Sequence, residues 1–305
     1  MKLRPVLVLV LALLGISAPL FAQALDSTLL SLDRIFSSRE FASELFGPAR
    51  WLQDGSGYTT LENSARPDLG RDLVRYAPQS GQREILVAAE KLIPTGASKA
   101  LEIEDYDWSP NGKLLLVFTN TQRVWRTNTR GDYWVLDLIS NKLHQLGGEA
   151  KPSTLMFAKF SPDNRAVAYV RENNVYVEEL ASGKIAQLTH DGSRTIINGQ
   201  FDWVYEEEFG LRDGFRWSPD SKSIAYWQLD AAGVRDFLMI NNTDSLYSFV
   251  IPVQYPKVGT TNSACRIGVV SASGGATRWF EMPGDPRDNY IARMEWAASS
   301  EEIIL

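Results

Sequence analysis

Residues 202–208 read Asp-Trp-Val-Tyr-Glu-Glu-Glu, three adjacent carboxylates beside aromatic side chains, in a chain otherwise patterned as short β-strands. Carboxylates held side by side make a poor core but a good receptor for an ammonium group, which offers three hydrogen-bond donors. The competing reading of Glu206, Glu207 and Glu208 is a solvated acidic turn. A second polar cluster, Thr121-Gln122-Arg123-Val124-Trp125-Arg126, supplies a guanidinium. Arg126 has two readings beside such carboxylates. One is an ion-pair lock between structural units. The other is a clamp for a peptidic ligand, with carboxylates on its ammonium and Arg126 on its carbonyl oxygen.

A repeat organises the elements that must position these groups. The phrase Trp108-Ser109-Pro110-Asn111 returns as Phe160-Ser161-Pro162-Asp163 and Trp217-Ser218-Pro219-Asp220, and Glu295-Trp296-Ala297 is a decayed further copy. In each, an aromatic strand end precedes a Ser-Pro-Asx turn whose proline pre-sets φ. Apolar strands follow at 114–118, 166–170, 224–227 and 303–305. A second unit, an alternating hairpin around a small polar turn, spans 73–87, 133–146, 175–188 and 267–280. The two units alternate, giving four-stranded antiparallel modules in series, the pattern of an all-β β-propeller. A β-sandwich would not repeat both turn types in fixed order. About four to five blades fit within residues 49–305.

Spacing between the turns locates the inserted material. Ser161 to Ser182 takes 21 residues, a minimal blade, whereas Ser109 to Ser140 takes 31 and Ser218 to Ser273 takes 55. The connection from Ser182 to Ser218 takes 36, against 21 from Ser140 to Ser161. The excess is therefore expected in the loops between second and third strands and in one blade-to-blade connection. All of these lie on one face of the disc, where function tends to collect.

Composition is that of an ordinary globular protein, 44% hydrophobic and 22% charged over 305 residues, with net charge −6. No basic patch supports nucleic-acid binding. Lys2 and Arg4 precede an apolar run at 6–14, and Ala22-Gln23-Ala24 offers the small residues a signal peptidase reads. The reading is a cleaved signal peptide at 1–24, a short helical lead-in at 25–48, and a periplasmic or secreted product. Cys265, the sole cysteine, reads as a small buried hydrophobe. No metal or cofactor set is apparent.

From about residue 26 onward the chain resembles the propeller of the dipeptidyl peptidase IV family. The resemblance rests on the 202–208 segment, on Trp125-Arg126 followed by Tyr133-Trp134-Val135-Leu136-Asp137-Leu138, and on Val253-Gln254-Tyr255-Pro256-Lys257-Val258-Gly259 with Asn262. It implies a propeller of eight blades and a serine exopeptidase that releases dipeptides ending in Pro or Ala. It further implies that Glu207 and Glu208 bind the free α-amine of a peptide, that Arg126 contacts its carbonyl, and that Glu206 supports them. The catalytic serine, aspartate and histidine of that family belong to an α/β-hydrolase domain. No Gly-x-Ser-x-Gly elbow occurs here, and the only histidines, His144 and His190, read as surface residues. The expectation is an N-terminal portion with a substrate site but no catalytic residue, ending at Leu305 within a blade. Such a chain is inactive without the hydrolase domain, and the full-length form is open to homodimerisation. The alternative is a non-catalytic TolB-like periplasmic propeller acting as a binding module.

The export reading predicts a mature N-terminus at Leu25. N-terminal sequencing of the exported protein checks it, and a product that begins at Met1 overturns it.

Overall fold

The computed structural model describes residues 28–43, 46–66 and 68–305, so the expected signal peptide at 1–24 lies outside the described residues. The chain divides into two compact units, one ending at Phe46 and one spanning Gly47–Leu305. In the first, the expected helical lead-in is one helical turn, Asp33–Ser37, with Arg34 Nη2 paired to Glu40 at 2.5 Å. Among the described residues no helix is long and apolar enough to cross a membrane.

The second unit is a partial β-propeller. Its first blade is the meander Arg50–Trp51, Tyr58–Asn63, Arg71–Tyr76 and Arg83–Val87. The second blade is Asp105–Trp108, Leu114–Val124, Thr127–Asp137 and Leu143–Gln145, and the third is Leu155–Phe160, Ala166–Arg171, Asn174–Glu179 and Ile185–Gln187. In the fourth, Ser223–Asp230, Ala264–Ser271 and Arg278–Trp279 pair in turn. A fifth opens with Glu295–Trp296 against Ile303–Ile304. Alternating apolar residues fill the spaces between neighbouring sheets, as where Leu116, Val135, Val167 and Tyr169 pack together.

The structure explains why the turn sequence recurs. Each serine hydroxyl donates to the Asx carboxyl or amide oxygen and accepts the first N–H of the next strand. Ser109 Oγ does so at 2.8 Å to Asn111 and 2.9 Å from Leu114 N, Ser161 at 2.6 and 3.0 Å, and Ser218 at 2.7 and 2.9 Å. The Asx backbone N–H then reaches the next blade: Asn111 N donates to Asn164 Oδ1 at 2.9 Å, Asp163 N to Ser221 Oγ at 3.0 Å, and Asp220 N to Ser300 Oγ at 3.0 Å. The aromatic residue before the turn reaches back. Trp217 Nε1 donates to Lys159 O at 3.2 Å, and Trp296 Nε1 to Arg216 O at 3.1 Å. The decayed copy at 295–297 is thus a working blade junction.

Two insertions differ from their expected form. Residues 121–126 are not an irregular loop. The second and third strands of blade two run on past the sheet as a hairpin, pairing Gln122 with Arg130 and Val124 with Thr127, with Trp125 and Arg126 at the tip. Backbone pairing between two solvated strands overrides their polar composition. The 202–208 segment is not in a blade-to-blade connection either. It interrupts the first strand of blade four, whose halves Ile196–Asn198 and Phe215–Trp217 both pair with Ser223–Asp230. Gly199 N donates to Trp227 O at 3.0 Å, Trp227 N donates to Gly214 O at 2.9 Å, and Gly214 N donates to Gly199 O at 2.8 Å. The two glycines pinch the insertion closed around one residue of the partner strand.

Gly131 joins blades two and three by pairing with Leu155. A Cβ there would fall 2.5 Å from Phe118 Cε2 and 2.7 Å from Thr119 O. Gly131→Ala is therefore expected to cost about 1–3 kcal/mol of stability through overpacking. Urea denaturation measures this, and an unchanged midpoint would show that Phe118 turns aside freely.

Candidate functional site

The acidic segment folds as helix α1, Trp203–Phe209. Asp202 caps its N-terminus, accepting from Tyr205 N at 3.1 Å and from the Ser263 hydroxyl at 2.6 Å. Gly210, at φ 66°, turns the chain out at the other end and donates to Tyr205 O. So short a helix has little intrinsic stability, and packing holds it. Tyr205 is 1% exposed, stacks on Phe201 at 5.4 Å, and accepts Ile291 N on its hydroxyl at 3.2 Å.

A helix turns about 100° per residue, so three consecutive glutamates cannot share one direction. Glu206 points inward and is buried, with Arg212 Nε 3.5 Å away as an ion-pair partner and no hydrogen bond on its Oε1. Burial pushes its carboxyl above the ordinary Glu range, and Arg212 opposes this only in part. Glu207 is half-buried and accepts both contacts of Arg126 Nε, at 2.8 Å on Oε1 and 2.5 Å on Oε2. Glu208 is exposed and makes no ion pair among the described residues.

Arg126 therefore meets Glu207 across two blades. The lock expected of such a pair is present, but it engages only the guanidinium's Nε. Its terminal Nη1 and Nη2 groups make no hydrogen bond among the described residues, and the side chain is 73% exposed. An exposed pair of this kind contributes about 0–1 kcal/mol to stability, too little to explain the arrangement by itself. Chemically, the helix carries one neutralised and one unpaired carboxylate, and the guanidinium on Glu207 keeps two donor groups free.

Helix α1 and the hairpin tip also wall a cavity of about 720 Å³. Its far side comes from a second hairpin, Asp236–Asn241 with Phe249–Gln254, and the segment after it. Phe237, Tyr255 and Lys257 line it together with Trp125, Arg126, Trp203 and Glu207. The sequence reading assigned no role to Phe237, Tyr255 or Lys257. The available signal was the aromatic content of the two quoted phrases, Trp203 in one and Tyr255 in the other. His190 is exposed and His144 half-buried, and Cys265 is buried as expected, its thiol pushed up to about 12 by burial. No group of residues able to hold a metal ion occurs among the described residues.

The model of the dipeptidyl peptidase IV N-terminal region matches residues 109–305. The chain belongs to that family. Dipeptidyl aminopeptidase B of Saccharomyces cerevisiae is 29% identical over 239 residues, covering 76% of this chain and 28% of the relative. A probable dipeptidyl-aminopeptidase B of Penicillium rubens is 30% identical over 214 residues, 64% of this chain and 23% of its own length. Among solved structures, Porphyromonas gingivalis dipeptidyl peptidase 4 matches with a TM-score of 0.77 at 29% identity, over 90% of this chain and 38% of that one. A Bacteroides ovatus protein described as a putative dipeptidyl aminopeptidase IV shares the fold, with a TM-score of 0.59 at 19% identity. This chain thus spans well under half the length of these relatives.

The raised carboxyl of Glu206 has a stability consequence. The folded chain holds that proton more tightly than the unfolded chain does. Its contribution is complete below about pH 4, the ordinary Glu range, and is lost as pH rises through the folded-state pKa. Urea denaturation across pH 4–8 should show wild type losing stability relative to Glu206→Gln as pH rises. A gap independent of pH would mean that Arg212 fully offsets the burial.

Proposed function

We propose that this chain is the substrate-binding propeller portion of an exported dipeptidyl peptidase IV-like serine exopeptidase. The observation that carries the reading is the half-engaged Arg126: its Nε fixes Glu207 while its Nη groups make no hydrogen bond among the described residues. A peptide N-terminus supplies the complementary groups, an ammonium for Glu207 and Glu208 and a carbonyl oxygen for Arg126. Glu206, buried beneath the helix, supports the pair by packing and not by contact.

Anchoring the amine converts position into specificity. One residue advances an extended chain by about 3.3–3.6 Å, so a nucleophile at fixed distance from Glu207 and Glu208 addresses the second peptide bond and no other. The nucleophile and its partners come from an α/β-hydrolase domain outside this chain, and preferred substrates carry Pro or Ala second. The amine must be charged to bind. Terminal amines titrate near pH 7.7–8.0, so affinity for substrate should weaken above that range as the ammonium is lost.

In the full-length enzyme, Glu207→Gln and Glu208→Gln each keep shape while deleting a charge. Each should cost about 2–4 kcal/mol of transition-state binding, because charged hydrogen bonds are expensive to lose. That corresponds to roughly 30- to 1000-fold in kcat/KM. Arg126→Ala should cost less, since carbonyl recognition can be shared. The measurement is hydrolysis of a Gly-Pro amide with a free amine and of its N-acetylated form. Equal cleavage of both substrates, or full activity in the Gln variants, would remove the amine receptor.

A further inference from the structure

Helix α1 divides its polar groups between two directions. Trp203 and Glu207 stand one turn apart on the face toward the 720 Å³ cavity, a size within the small-ligand range. Glu208 is rotated about 100° from Glu207 and about 140° from Trp203, so it is absent from the cavity wall. Glu207 and Arg126 both line the cavity, so both are shared between it and the peptide-amine receptor, whereas Glu208 belongs to the receptor alone.

The cavity has its own chemistry. Trp203 and Tyr255 lie 4.3 Å apart between ring centroids, and Phe237 is 5.9 Å from Tyr255, so Tyr255 touches both other rings, and Trp125 adds a further aromatic wall. Met239 and Val253 add apolar surface. Its one carboxylate, Glu207, is already neutralised by Arg126. Lys257 holds its ammonium 5.5 Å over the Phe237 ring and makes no ion pair among the described residues. Aromatic walls alone would suit a cationic ligand, but the resident ammonium fills that role and repels a second cation. What remains unmatched is the Lys257 ammonium, with the free Nη groups of Arg126 on the same wall, beside flat apolar surface.

We propose that this cavity binds an aromatic carboxylate, its ring among Trp203, Phe237 and Tyr255 and its carboxylate on Lys257 Nζ. The aromatic faces provide buried area and ring stacking, and the ammonium provides a charge-assisted hydrogen bond that fixes orientation. The site shares Glu207 and Arg126 with the peptide-amine receptor and adds the aromatic walls and Lys257, which that receptor does not use.

Indole-3-acetate is a suitable probe, with tryptamine as its counterpart of the same ring and opposite charge. Titration calorimetry on the full-length protein should show saturable binding of indole-3-acetate and at least tenfold weaker binding of tryptamine. Lys257→Gln, at an exposed position where folding is not at stake, should weaken indole-3-acetate at least tenfold, and Trp203→Ala should do the same. Saturating Gly-Pro dipeptide should not displace the probe. Equal affinity for both probes, no measurable binding, indifference to Lys257→Gln, or displacement by Gly-Pro would each overturn the assignment. Failure of the amine receptor, read from the acetylated substrate, would leave these affinities unchanged, so the two readings fail separately.

Discussion

Every feature of the site depends on the polar stitching between blades. The turns lie at the surface, and each hands a backbone N–H to its neighbour and takes support from it in return. Here the Asx N–H of one turn is satisfied by a side chain of the next blade, while the tryptophan indole returns a bond to the blade before. These bonds are directional, so they set the rotation between neighbouring sheets as well as holding them. The hairpin tip of blade two and the helix of blade four are far apart in sequence, yet Arg126 and Glu207 meet at 2.5 Å. Hydrophobic packing without this indexing would tolerate sliding that separates them.

Three consecutive glutamates look interchangeable in a sequence, and the helix makes them different. One is buried and strains toward neutrality, one is held by a guanidinium, and one is left to solvent. Environment and not residue type decides which can hold an incoming cation. The same rotation turns Glu208 away from the aromatic cavity that Glu207 and Arg126 line.

The propeller was legible in the chain because its turns need specific residues. Ser-Pro-Asx recurs where one hydroxyl must donate and accept at once, and the alternating hairpins carry period-two patterning. Arg126 with the glutamates was legible through spacing and through resemblance. Other elements were not. The extension at 119–124 is polar on both sides and carries no apolar alternation, so only its pairing with Thr127–Asp132 reveals a strand. Helix α1 is too short for a periodic signal, although Asp202 and Gly210 stand where caps belong. The split first strand of blade four could not be inferred at all, since it depends on which residues Trp227 bonds. The cavity drew its far wall from the hairpin at 236–254, whose placement over α1 is a tertiary fact.

The pinch at Gly199 and Gly214 bears on how such a site can change over evolutionary time. Both glycines bond to Trp227 and to each other, so the inner strand is continuous whatever lies between them. Cβ atoms at either would collide, with Val175 Cγ2 at 2.6 Å from Gly199 and with Gln200 N at 2.7 Å from Gly214. Residues 200–213 are thus a graft whose ends are sealed independently of its contents. Its exposed positions can change without shifting the register of the blade. What is fixed is the inner face of the helix, where Phe201 and Tyr205 pack into the core of the blade beneath.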